Sequence, residues 1–293
     1  MAFSLPSFAK INWTLRVLGK REDGFHELCT VFQTVSLHDT LHFCEADELT
    51  LTCDDPAVPV DEANLIIKAA LLLRARSDVS AGAAIHLEKR IPFPGGLGGG
   101  SSNAAVTLIG LSRLWNLPDV DLHTLAGELG SDVPFFLYGG TAIGIGRGEI
   151  IEAIDDINES NLLIVTPHVN VPTADVFGSL NAPTLTKQGS DNNLTVCRND
   201  VESFDPRNSE LKNDLEPSVF TRFPEVERVK KTLLDLGALN AAMSGSGASV
   251  FAIFDKQETR QAAIEALAIE RDWRKFAVST ISRSEYASAL GIA

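Results

Sequence analysis

The chain of 293 residues is poor in sulfur: four cysteines and two methionines. Its thiols, Cys29, Cys44, Cys53 and Cys197, form no C-x-x-C pair, and no histidine cluster completes a zinc spacing. That sets aside a zinc module. Four scattered thiols in so long a chain are no disulfide framework, and they suit a reducing, cytoplasmic setting. Positive charge is scarce too, with 25 Lys and Arg against 39 Asp and Glu, for a net charge of −14. A chain this acidic has no general field to draw nucleic acid or an anionic membrane, so an anionic ligand must be held by local donors. Long apolar runs are also missing. Nothing approaches about eighteen uninterrupted apolar residues, so no membrane span is expected. The opening MAFSLPSFAK shows neither a basic n-region nor an apolar h-region, so no signal peptide is read there.

What remains is 44% hydrophobic and 22% charged, the composition of a globular protein. The length favours two domains. The polar stretch DDINES at 155–160 marks a boundary, giving units 1–156 and 157–293. SFAKINWTLRVL and HELCTVFQTVSL read as strands, TLHFCEA and ELTLTCD as a short hairpin, and NLIIKAALLLRARS as a helix capped by the acidic pair at 61–62. Residues 181–217 are poor in apolar side chains and read as a long loop with little core. Strands and helices mix without strict alternation, which predicts an α+β fold.

Residues 91–100, IPFPGGLGGG, pack five glycines and two prolines into ten positions, then SSNAAVTLIGLSRLWNL turns helical. A strand, a bare loop and a helix start form an anion site, because the first N–H groups of a helix lack partners and its dipole is positive there. Ser101 and Ser102 are placed to cap that helix. The loop departs from the P-loop pattern, since Ser101 stands where a lysine is needed and no lysine is seen nearby. It departs equally from the dinucleotide fingerprint: residues 95–100 read GGLGGG, with no acidic strand end about twenty residues on.

PFPGGLGGGSSN resembles the ATP loop of the GHMP kinases. SFAKINWTL at 7–15 and MSGSGASVFAIF at 243–254 resemble the N-terminal and C-terminal motifs of the same family, so the likeness spans nearly the whole chain in order. AKIN, REDGFHEL, ANL, LGSDVPFFL, PTADVF and NDLEP together resemble the branch whose acceptor is a cytidine diphosphate sugar-alcohol of isoprenoid-precursor synthesis, with Phe25 where some members carry Tyr. The resemblance implies a two-domain fold, the first unit like ribosomal protein S5 domain 2 and the second ferredoxin-like. It implies ATP with Mg²⁺ as co-substrate.

It also implies Lys10 and Asp132 as the catalytic pair. Pro92, Phe93, Pro94, Gly95, Gly96, Leu97, Gly98, Gly99, Gly100, Ser101, Ser102, Asn103 and Asn64 are then implied on the ATP side. Asn12, Phe25, His26, Thr173, Phe177, Gly245, Ser246 and Gly247 are implied on the acceptor side, with Phe25 and Phe177 sandwiching the base and His26 reading its edge. Read without the family, Asp132 is an N-terminal helix carboxylate, His26 a satisfied strand histidine and residues 245–247 an ordinary hairpin turn. His38, His42 and Cys44 fall in a strand pattern and read as ordinary strand residues. No metal ligand is assigned; Ser102 is one candidate oxygen for Mg²⁺. The expected partner is a small molecule, with no nucleic acid, no membrane, and a monomer or weak homodimer. Rival readings are another GHMP kinase, of homoserine or mevalonate type, and a non-catalytic nucleotide sensor on the same fold.

Overall fold

The structure is a computed structural model that describes residues 2–180, 182–183, 195, 198–199, 201 and 204–292. Its largest feature is a pair of long antiparallel strands, β1 (Ala2–Lys20) and β2 (His26–Ala46), joined by the KREDG turn. Arg21 closes that turn by bridging Asp23 and Glu27. β1 follows β2 along one edge. The other edge of β2 is shared: residues 28–33 pair with β5 (Thr141–Gly146), and residues 40–46 pair with β4 (Gly82–Glu88). β3 (Leu49–Cys53) runs parallel to β4, and β6 (Ile150–Ala153) hangs on β5.

Two sequence expectations are corrected here. HELCTVFQTVSL and TLHFCEA are one strand of 21 residues. ELTLTCD makes no hairpin with it, because β4 takes the edge of β2 that β3 would need. Register shifts in β1 fall between Phe8 and Ala9 and between Asn12 and Thr14, on either side of Lys10 and Asn12. Such bulges twist a strand and re-aim side chains.

One face of this sheet is covered by α1 (Leu65–Ser77), α2 (Gly99–Leu114) and α3 (Leu122–Leu129), packed on Leu5, Phe32, Leu41 and Phe43. The last helix, α8 (Arg283–Leu290), joins the same core through Tyr286 and Leu290. The opposite face, with Ile11, Trp13, Val31 and Val35, packs against Leu162, Ile164, Phe251 and Ile253 of a second sheet. That sheet is antiparallel, in the order β10 (Arg274–Val278), β7 (Leu162–Thr166), β9 (Val250–Ile253), β8 (Asn240–Met243). Its outer face carries α4 (Thr173–Gly178), α5 (Glu216–Arg222), α6 (Pro224–Asp235) and α7 (Gln257–Ala266) around Val176, Val219, Val229, Leu233 and Ala263. The α+β expectation holds.

Helix starts differ from expectation. α1 is capped by Asn64, whose Oδ1 accepts from Ile66 N at 2.9 Å, so the acidic pair at 61–62 is not the cap. α2 begins one turn earlier than Ser101 and Ser102 would set it: Gly98 is its N-cap, at φ +70, and no side chain caps it. Most of residues 181–203 of the expected loop 181–217 lie outside the described residues, but the end of that loop is core. Leu211, Asn213 and Leu215 are buried, and Leu15 N donates to Lys212 O at 2.8 Å.

Candidate active site

A cleft of about 800 Å³ lies where β1, the glycine loop, the segment after α3, and the second sheet's turns meet. Period two on β1 puts Lys10 and Asn12 on the same face, here the cleft wall. Lys10 Nζ donates to Asn12 Oδ1 at 2.7 Å, and Asn12 Nδ2 donates to Thr30 Oγ1 at 2.7 Å. Thr30 in turn donates to Thr14 O at 2.6 Å. This chain fixes the Asn12 amide and keeps one proton of the ammonium occupied. The ammonium faces Asp132 Oδ2 at 3.3 Å and lies 5.5 Å from the centroid of the Phe32 ring. Lys10 is 3% exposed and Asp132 33%, so the lysine is a buried anchor and the carboxylate opens to the cleft. Asp132 precedes the short 3₁₀ turn Pro134–Leu137, which Tyr286 holds from α8 by donating to Phe136 O at 2.6 Å.

The glycine loop is pinned from both sides. Lys10 N donates to Leu97 O at 2.9 Å, and Ser249 N donates to Gly95 O at 3.1 Å. Ser244 Oγ donates to Gly96 O at 3.0 Å. Gly96 needs its bareness. It sits at φ +71, and a Cβ there would lie 2.2 Å from Ser244 O. The loop from Pro92 to Ser101 lines the cleft, bringing the uncapped start of α2 to its wall.

Ser102 and Asn103 are placed elsewhere. Both are buried beneath the loop, where Ser7 Oγ donates to Ser102 Oγ and Asn103 Nδ2 donates to Ser7 Oγ and Asp39 Oδ2. One turn into α2, their side chains point at β1 and β2 rather than into the cleft. Asn64 also lies off the cleft wall. Its amide is spent on capping α1 and on Pro59 O, and Leu65 faces the cavity instead.

At the other end, Gly245 and Ser246 line the cleft, and a Cβ on Gly245 would lie 3.2 Å from Lys10 Nζ. Gly247 does not line it, because its N–H closes the turn onto Ser244 O at 3.0 Å. Asn213 holds this turn by donating to Met243 O and Gly245 O, each at 2.8 Å. Thr173 and Ser246 share a hydroxyl hydrogen bond of 2.7 Å. Phe25, His26 and Phe177 share the cavity, with the His26 and Phe177 ring centroids 5.6 Å apart. Phe25 is 52% exposed. His26 Nε2 is buried with no hydrogen-bond partner. Burial, helped by the positive charge of Lys20, holds the imidazole below its usual pKa and so in the neutral form.

Among the cleft residues that escaped the sequence reading are Arg147 and Lys89. Arg147, in the turn between β5 and β6, lies 4.9 Å over the Phe25 ring. Lys89 is on the cleft wall beside Gly99, contrary to the expectation that no lysine is near the loop. Its ammonium is committed to Asp39 Oδ2 at 2.6 Å. The GRGE turn was the signal for Arg147; nothing in the linear sequence pairs Lys89 with Asp39, fifty positions away. His38 and His42 behave as ordinary strand residues, and among the described residues no cluster of three His, Cys, Asp or Glu could hold a metal.

A bare, donor-rich loop beside a buried lysine paired with a half-open aspartate is equipment suited to moving a phosphoryl group onto a hydroxyl. Residues 64–140 match the family description "GHMP kinases N terminal domain", and residues 195–271 match "GHMP kinases C terminal". The fold is the GHMP kinase fold, found also in homoserine kinase from Cytophaga hutchinsonii at TM-score 0.70 and 23% identity, over 97% of this chain and 96% of that one. More similar in sequence is the 4-diphosphocytidyl-2-C-methyl-D-erythritol kinase of Chlorobium limicola, 41% identical over 89% of this chain and 91% of the relative. The enzyme of that name from Pelotomaculum thermopropionicum is 43% identical over 90% of this chain and 93% of its own. A crystal structure of 4-(cytidine 5'-diphospho)-2C-methyl-D-erythritol kinase superposes at TM-score 0.76 with 33% identity, covering 95% of this chain and 99% of the other. The chain belongs to the 4-diphosphocytidyl-2-C-methyl-D-erythritol kinase family of the GHMP kinases.

Proposed function

We propose that the chain is an ATP-dependent kinase that phosphorylates the 2-hydroxyl of 4-diphosphocytidyl-2-C-methyl-D-erythritol, in the non-mevalonate route to isoprenoid precursors. The observation that carries this reading is that one cleft holds the Lys10–Asp132 pair, the glycine loop, and the Phe25, His26 and Phe177 group. The division into units 1–156 and 157–293 would put the loop and Asp132 on one side of the cleft, and Thr173, Phe177 and Gly245 on the other.

The donor set fits a nucleoside triphosphate. The loop from Gly95 to Gly100 and the uncapped start of α2 offer backbone N–H groups to phosphate oxygens. ATP with Mg²⁺ would supply the transferable phosphoryl group and a cation to screen its charge. Ser101, on the cleft wall, and the half-open Asp132 carry oxygens within that space, whereas Ser102 is buried against Ser7.

Asp132 would accept the proton of the acceptor hydroxyl as its oxygen bonds to the γ-phosphorus and the bond to the ADP oxygen breaks. Lys10 would orient the Asp132 carboxylate and steady the charge on the transferring group. Asn12 and Thr30 keep the Lys10 ammonium aimed. Phe25 and Phe177 would stack the cytosine, and the neutral, unpartnered His26 would read its edge. Gly245, Ser246 and Thr173 would hold the acceptor's diphosphate or sugar. The free thiols of Cys44 and Cys53 support a reducing cytoplasm as its place of work. No helix among the described residues is long and apolar enough to cross a membrane.

ADP release from Mg·ATP, followed by a coupled assay with the diphosphocytidyl acceptor, homoserine and mevalonate, tests the reading. Turnover with the cytidine acceptor alone is expected. Turnover with homoserine or mevalonate alone would overturn the base slot, and ATP binding without turnover on any acceptor would favour a sensor.

A further inference from the structure

We propose that Asp39, which lies outside the cleft, is a positioning residue that ties the two ends of the glycine loop together and so sets the shape of the ATP cradle. Asp39 sits on β2 and its side chain is fully buried. All four of its hydrogen bonds run to the segments that bracket the loop. Oδ1 accepts from Arg90 N at 2.7 Å and from Ile91 N at 2.8 Å, at the loop's entrance. Oδ2 accepts from Lys89 Nζ at 2.6 Å and from Asn103 Nδ2 at 3.0 Å. Asn103 belongs to the first turns of α2, at the loop's exit, and it also donates to Ser7 Oγ at 2.8 Å.

One carboxylate therefore fixes the distance between Ile91 and the start of α2. The intervening residues have little rigidity of their own, since five of the nine from Pro92 to Gly100 are glycine. A neutral side chain cannot replace it. Two backbone donors, an ammonium and an amide N–H converge on one group, and only an ionised carboxylate accepts from all of them. The same pair holds the Lys89 ammonium against the loop, beside Gly99, with its charge compensated. Asp39 is not itself on the cavity wall, and the one cleft-lining side chain it bonds is that of Lys89, beside the loop. Its effect must pass through the loop and reach ATP rather than the acceptor.

This inference rests on reading the loop as the ATP site. The test is Asp39→Asn, with Mg·ATP affinity measured by titration calorimetry without acceptor, and the acceptor KM measured at saturating ATP. Asparagine keeps an acceptor for the two backbone N–H groups but turns an NH₂ toward Lys89 and Asn103. The Kd for Mg·ATP should rise at least about tenfold, as expected for losing hydrogen bonds to a charged group, while the acceptor KM stays within about twofold. Asn103→Ala cuts the exit tie, together with the bond to Ser7, and leaves the Lys89–Asp39 ion pair intact, so it serves if Asp39→Asn does not fold. Its Kd for Mg·ATP should rise about three- to tenfold with the acceptor KM unmoved. Unchanged ATP affinity in a folded variant, or equal loss toward ATP and acceptor, overturns the clamp. Failure of the unaltered protein to bind Mg·ATP would instead remove the ATP reading of the loop, and the clamp with it.

Discussion

Gly96→Ala is the most direct probe of how the cleft is assembled. Gly96 touches the second glycine turn, and its φ of +71 lies in the left-handed region. An alanine there would be strained by about 1–2 kcal/mol from its backbone alone. Its Cβ would also stand 2.2 Å from Ser244 O and 2.9 Å from Gly247 O. Both neighbours are backbone, so neither can swing away. Ordinary contact begins near 3.4 Å, so the two turns must part by about 1.2 Å, beyond what a packed contact absorbs. That motion lifts the loop off Ser244 and Ser249 and moves Leu97 away from Lys10 N. A displacement of about 1 Å in a positioned reactant costs on the order of a hundredfold in rate.

The assay is steady-state kinetics in Mg·ATP with a melting curve alongside. Activity, as kcat/KM for ATP, should fall about a hundredfold, while the melting temperature falls by only about 2–8 °C for the strain alone. Gly127→Ala is the control. Gly127 lies in α3 with nothing within 4 Å of its Cβ position, so alanine should leave kinetics unchanged and stabilise the helix slightly. A Gly96→Ala enzyme with kcat/KM within about threefold of the unaltered protein would refute the reasoning, because the turns would then be shown not to depend on that contact.

Asp132→Ala should bind both substrates yet lose about 10²–10⁴ in kcat, and an unchanged kcat would remove Asp132 from the chemistry. Phe177→Ala should raise the acceptor KM about tenfold, in keeping with one lost stacking contact, and leave that for ATP alone; equal shifts would displace the base slot. His26 titrates below its usual 6.5, so in the folded protein its ring is neutral at pH 7. Unfolded chains take up that proton near 6.5, so the stability tied to a neutral His26 is complete above that pH and is lost as pH falls toward the depressed folded value. Acceptor binding should follow the same acid limb, and His26→Gln should flatten it; an acid limb unaltered in His26→Gln would assign it to another group.

Much of this protein was legible in its residues. IPFPGGLGGGSSN declared an anion loop before a helix because only bare backbone tolerates positive φ and close approach, and both are observed at Gly96 and Gly98. AKIN and GSDVPFF supplied a lysine and an aspartate that stand 3.3 Å apart in the structure. Local chemistry sufficed for the loop and the strand periods, which are set within a few residues, whereas the pairing of Lys10 with Asp132 was what the resemblance to the GHMP kinases implied. Other features depended on distance in sequence. The edge of β2 that excludes a β2–β3 hairpin is claimed by β4, about forty residues on, and hydrogen-bonding edges are decided by competition across the whole sheet. Ser102 and Asn103 look like phosphate ligands beside the glycines, yet helical period turns them inward to Ser7 and Asp39. Gly247 looks like part of a nest, yet its N–H is consumed by its own turn. The residues themselves determined which chemistry this chain carries. Tertiary packing alone decided which of those side chains reach the cleft, because burial and hydrogen-bond satisfaction are properties of neighbours that the linear order does not contain.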